Sequence, residues 1–263
     1  MADKINAVIS DYQLLFREGI HFSLSGEEDI CVIGETVTNA EAVKFVQTNP
    51  PDVVIINLAG PGMTGLEAIQ LIKRDLPAMS LILTLDTYDE DNIFDVLVSG
   101  ANGCIFKDDS PEAVINVIHR AGKDSYPIAA LLLKSGIAAK TLREFETYLG
   151  MDELLSNLLS RLTQVEQSIL QRAVENESQF KDEKNHIEIA NNLESIRYKL
   201  VDNRHHYDIF KAAQSQLTAL ADTSSDETSG YITKNEFGAF RSSIEQLISK
   251  INSNPQNSEK QKG

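Results

Sequence analysis

The chain has 263 residues, 42% of them hydrophobic and 24% charged, with a formal net charge of -15. That length admits one α/β domain of ordinary size and a second, smaller one, and the apolar content supports buried cores. So acidic a surface disfavours nonspecific attraction to nucleic acid or to an anionic membrane, and no stretch is long enough to span a bilayer.

The charge is uneven: -11 of it falls in residues 1–139 and -4 in the remainder. The first residues, Met1 to Ile5, enter a strand-like pattern directly, with no signal-peptide pattern, so the expected location is cytoplasmic. Cys31 and Cys104 both sit in apolar strand-like runs. They read as core residues in a reducing compartment, not as a disulfide frame or a metal site.

Taken in order, strand-like runs cover Ile5–Ser10, Ile30–Glu35, Val53–Leu58, Ser80–Leu85 and Gly103–Lys107. Helical patterns alternate with them over Leu14–Ser23, Ala40–Gln47, Leu66–Arg74, Asp91–Val98 and Pro111–Ala121. Ser110-Pro111 supplies an N-cap followed by proline at the first helical position. Strands alternating with helices give a parallel sheet covered on both faces. The expected fold is therefore α/β over residues 1–122, a flavodoxin-like five-stranded parallel sheet.

Within it, the apolar run Asp52-Val53-Val54-Ile55-Ile56 ends at Asn57 and is followed by a Pro/Gly-rich turn, Gly60-Pro61-Gly62-Met63-Thr64-Gly65. Functional groups of open α/β sheets gather at that carboxyl end of the strands. Here the chain presents a neutral carboxamide.

The segments Ser10 to Gly19, Pro51 to Leu58, Pro61 to Ala68, Leu81 to Thr84 and Gly100 to Glu112 occur in one order. In that order they resemble the receiver domain of two-component response regulators of the NarL/FixJ class. The resemblance implies a pocket with two acids holding magnesium, an aspartate accepting a phosphoryl group, and a Thr or Ser plus a Lys on its oxygens. Magnesium needs hard oxygen ligands, and acyl phosphate formation needs a carboxylate nucleophile. Carried over, the acid pair falls on Ser10 and Asp11 and the acceptor on Asn57, while Thr84 and Lys107 match. The aromatic switch position falls on Cys104, and the His after the acid pair becomes Tyr12. The expectation is a degenerate phosphoacceptor pocket with no catalytic residues, weak magnesium binding, no cofactor, and Lys107 paired with Asp11. The resemblance also implies homodimers through the fourth helix, fifth strand and fifth helix. There the loop bearing Asp86, Asp89, Glu90 and Asp91 reads as solvated.

Residues 123–150 read as a linker helix region. From within it onward, Leu142, Phe145, Leu149, Leu154, Leu155, Leu158, Leu159 and Leu162 recur at helical spacing. Leu162 to Leu170, Ile187 to Leu193 and His205 to Lys211 resemble, in order, a LuxR-type helix-turn-helix. The spacings are longer than in the family and the glycine-containing turn is missing. Residues 151–251 are thus expected to form an all-α domain with a divergent helix-turn-helix, with Arg197, Lys199, Arg204, His205 and Lys211 as its DNA-contacting cations. Asp202 and Asp208 lie among them and oppose phosphate. Ser225 to Phe237 resembles an EF-hand loop with Ser225 in place of the first acid, and reads more simply as a polar loop with no metal. A final amphipathic helix spans Phe237 to Ile251, and 252–263 reads as a disordered tail.

The composite expectation is an atypical, phosphorylation-independent response regulator acting in transcription through the helix-turn-helix, and not an enzyme. The alternative is a signalling adaptor that binds proteins without DNA. The partners to consider are DNA, other proteins and a second copy through the receiver, with no membrane.

Overall fold

The computed structural model describes residues 4–123, 127–149, 159–181 and 186–223. The EF-hand-like loop, the helix expected at Phe237 to Ile251, the tail and the leucines at 154, 155 and 158 lie outside them. Five strands, β1 (Ile5–Ser10), β2 (Ile30–Thr36), β3 (Val53–Asn57), β4 (Ser80–Leu85) and β5 (Gly103–Phe106), alternate with α1 (Leu14–Ser25), α2 (Asn39–Thr48), α3 (Gly65–Asp75), α4 (Glu90–Val98) and α5 (Pro111–Ala121). All strand pairings are parallel, in the order β2-β1-β3-β4-β5. This is the doubly wound, flavodoxin-like arrangement, with its crevice outside the carboxyl ends of β1 and β3.

The strand alternation explains the two cores. Val8, Val54, Ile56, Leu81 and Leu83 face one side and pack with Val43, Val46, Ile69, Ile72, Ile93 and Phe94 of α2, α3 and α4. Ala7, Ile9, Val53, Ile55 and Ile82 face the other and pack with Ile20 and Leu24 of α1 and Val114 and Ile118 of α5. Central β3 is buried on both sides, so it prints as an unbroken apolar run. Edge strand β2 is buried at Ile30 and exposed at Cys31. The expectation that Cys31 is a core residue is thereby corrected: an edge strand has only one covered face at that register.

Helix starts are locally encoded. Thr38 with Glu41 and Thr64 with Glu67 form capping boxes, and Asp89 and Ser110 cap α4 and α5. Each satisfies backbone donors that have no partner inside the helix.

After α5 come a 3₁₀ segment, Pro127–Leu133, then α6 (Ser135–Leu149), α7 (Gln164–Glu175), a second 3₁₀ segment, Glu177–Lys181, and α8 (His186–Thr223). The region expected to be a linker is instead a packed layer. Ile128, Leu132, Ile137, Ala138, Phe145, Ile169, Leu170, Leu193, Ile196 and Leu200 are buried in the same cluster as the α2–α4 face of the sheet. Residues 1–203 form one compact unit and 204–263 a second. No helix among the described residues is long and apolar enough to cross a membrane.

Candidate functional site

The site is built at the carboxyl ends of β1, β3, β4 and β5. Ser10 ends β1, Asn57 ends β3, Thr84 sits one residue before the end of β4, and Lys107 follows β5. Asp11, the residue after β1, is only 1% exposed.

Both oxygens of the Asp11 carboxylate are used within the protein. Oδ2 accepts from the Asn57 amide nitrogen at 2.7 Å and from the Thr84 hydroxyl at 3.4 Å. Oδ1 accepts from the backbone N–H of Gln13 at 2.8 Å. Lys107 Nζ lies 3.6 Å from Asp11 Oδ2 and only 2.6 Å from Asp86 Oδ1. The pairing expected between Lys107 and Asp11 is therefore present as the longer of two contacts. Asp86, read from sequence as solvated, is the nearer partner. The ammonium also lies 5.6 Å from the Tyr12 ring centroid and 5.2 Å from that of Phe16.

Asn57 has its own fixed orientation. Its Oδ1 accepts from the N–H of Ala59 at 2.8 Å, so its amide nitrogen is the group turned to Asp11. An aspartate in this place would bring two carboxylates together, an arrangement that needs a proton or a cation between them. The carboxamide makes the same contact as a hydrogen bond.

Asn39 was not legible as a site residue. At the start of α2 it is buried, and its amide nitrogen donates to the carbonyls of Asn57 at 2.9 Å and Met63 at 3.0 Å. Its Oδ1 accepts from the Ser10 hydroxyl at 3.2 Å. A β-carbon at Gly60 would come within 2.5 Å of that amide, so the turn after β3 has glycine where Asn39 reaches in. Arg17 closes the rim, donating from Nη1 to the Asp11 carbonyl at 2.7 Å and from Nε to Glu35 at 3.1 Å. Cys104 lies lower on β5, level with Leu83, against the apolar layer. Burial, with the Asp109 charge adding to it, pushes its thiol up to about 12.

Magnesium of the kind the resemblance implies does not fit these residues. It takes near-octahedral hard oxygen ligands. Here the Asp11 carboxylate has both oxygens committed, the Asp86 carboxylate is held by Lys107, the Ser10 hydroxyl is turned to Asn39, and an ammonium stands beside Asp11. The amide of Asn57 offers no carboxylate nucleophile for acyl phosphate chemistry.

Residues 7–119 match the response regulator receiver domain. The uncharacterized transcriptional regulatory protein YhcZ of Bacillus subtilis is 31% identical over 108 residues, 41% of this chain and 50% of that protein. The nitrate/nitrite response regulator protein NarL of Escherichia coli K12 is 28% identical over 137 residues, 52% of this chain and 62% of that protein. The chain thus spans between half and two thirds of the length of these curated relatives. Among solved structures, the receiver domain of the putative response regulator NarL from Mycobacterium tuberculosis is 26% identical, with a TM-score of 0.44 over 46% of this chain and 98% of that one. A LuxR-family two-component response regulator from Aurantimonas is 21% identical, with a TM-score of 0.48 over 53% and 99%. The pocket described above lies within the residues that match the receiver domain.

The cations expected to contact DNA are divided. Arg197 is buried, and its Nη2 donates to the Ala101 carbonyl, two residues before β5, at 2.8 Å. Lys199 Nζ sits 2.6 Å from Glu166 Oε2 on α7. These two face inward, which corrects the expectation that they lie on a groove-facing surface. The physical reason is that this face of α8 also bears Leu193, Ile196 and Leu200, all buried. Farther along α8, Arg204 Nε is 3.7 Å from Asp208, and His205 and Lys211 are exposed.

Proposed function

We propose that this chain is a receiver-type regulator of transcription that operates independently of phosphorylation. The observation that carries this reading is the Asn57 amide seated on Asp11 at 2.7 Å. It supports a receiver crevice closed by its own hydrogen bonds, in which the strand-end position that would take the usual covalent signal carries an amide instead of a carboxylate. The match of residues 7–119 to the receiver family, and the similarity to YhcZ, a relative named as a transcriptional regulatory protein, support the output. In this reading Arg204, His205 and Lys211 are the cations left for DNA. A second reading, an adaptor that binds proteins and no DNA, is favoured by the inward placement of Arg197 and Lys199.

Mobility shift with genomic fragments over a salt series separates the two. The regulator reading expects binding that weakens as salt rises, because phosphate contacts release counterions. It also expects no change when a small phosphodonor is added. Binding that appears only with the phosphodonor contradicts phosphorylation independence, and absence of any shift favours the adaptor.

A further inference from the structure

At the end of the sheet opposite Asn57, three side chains from two elements converge. Glu27 and Asp29 lie in the turn between α1 and β2, and His119 lies near the C-terminal end of α5. One ligand atom from each lies within 4.8 Å of the other two. His119 Nε2 is 3.1 Å from Asp29 Oδ1. That is close to the edge of a tetrahedron, about 3.4 Å, for metal–ligand bonds of about 2.0–2.1 Å.

The frame that holds them is regular. The Asp29 carbonyl accepts from the N–H of Ile5 at 2.8 Å, which fixes the turn to the start of β1. His119 follows buried Ile118, which anchors that turn of α5 against the sheet. The side chains of His119 and Asp29 remain 27% and 49% exposed, so an ion can reach them and keep water in an open position. Lys123 is the charge that opposes a cation here.

We propose that Glu27, Asp29 and His119 bind a divalent transition metal of the zinc type. One imidazole selects zinc, copper or nickel over magnesium and calcium, and two carboxylates neutralise the ion's charge. The ion would brace the α1–β2 turn to α5, at the end of the receiver away from the crevice.

The test is calorimetric titration of zinc chloride into the full chain at neutral pH, in a buffer that does not chelate. The expected result is one ion per chain. Asp29→Asn and His119→Ala should each weaken binding by at least about 10-fold, the loss that even an outer-shell partner produces. Asp29→Asn keeps the side-chain shape, so it reports on the site even where His119→Ala disturbs packing. The double change His205→Ala, His206→Ala should leave binding unaltered. Absence of zinc binding, retention of full affinity in Asp29→Asn, or loss with the His205/His206 change overturns the proposal.

Discussion

Replacing the Asn57 amide by a carboxylate tests the crevice at a single atom. In Asn57→Asp a charged oxygen would stand where the amide nitrogen now lies 2.7 Å from Asp11. Two carboxylates at that range repel, and one must hold a proton or share a cation. The variant should lose roughly 1–3 kcal/mol in chelator, the scale of an uncompensated buried polar group. Magnesium should restore part of it. Equal denaturation midpoints for variant and parent in chelator, with no response to magnesium, would remove the electrostatic argument. Asn39→Ala should cost a comparable amount, roughly 1–3 kcal/mol, because it strands the Ser10 hydroxyl and two carbonyls. The cysteines give a third check at this scale. Cys31 is exposed, whereas the Cys104 thiol is pushed up to about 12 by burial. The thiolate is the reactive form, so a thiol reagent near pH 8 should modify Cys31 alone in the native protein and both cysteines in denaturant. Modification of both at one rate in the native protein would contradict the burial of Cys104.

Among the elements, α7 and α8 are joined by one buried carboxylate. Glu166 closes the capping box with Thr163 at the start of α7 and also binds Ser195 and Lys199 of α8. Burial raises its pKa, but the Lys199 ammonium, the Thr163 N–H and the Ser195 hydroxyl outweigh burial and hold it below 4.5. A depressed folded value means the carboxylate stabilises the fold above pH 4.5 and loses that contribution as pH falls through the lower folded value. Glu166→Gln keeps a capping side chain but cannot pair with Lys199. Its stability should fall less steeply than the parent's as pH drops below 4.5. Parallel acid-unfolding profiles for the two proteins would show that the pair contributes nothing. The elements themselves were largely legible. β3 printed as an unbroken apolar run because it is covered on both faces, and the cap at Ser110 lies in the local sequence. Cys31 was misread because nothing local marks β2 as an edge. Arg197 and Lys199 were misread because a charge on an amphipathic helix does not tell whether a carbonyl or a carboxylate waits across the interface.

At the scale of the molecule, the largest departure from the sequence reading is the fate of residues 127–203. Read as a linker and a separate domain, they share an apolar cluster with the sheet and add the Arg197 bond to Ala101. Helical periodicity shows that a stripe is buried but not what buries it, so long-range packing of this sort is invisible to pattern. The crevice shows the same division. Asn57, Asp11, Thr84 and Lys107 were placed by the order of the receiver motifs, whereas Asn39 and Asp86 join them only through the fold. The central claim is that the Asn57 crevice takes no phosphoryl group. Intact-mass measurement after incubation with a small phosphodonor and magnesium tests it most directly. The account predicts that the mass of the parent chain does not change. A stoichiometric gain of one phosphoryl group, stable in acid, labile in base and mapping to Asp11 or another carboxylate of this crevice, would contradict it.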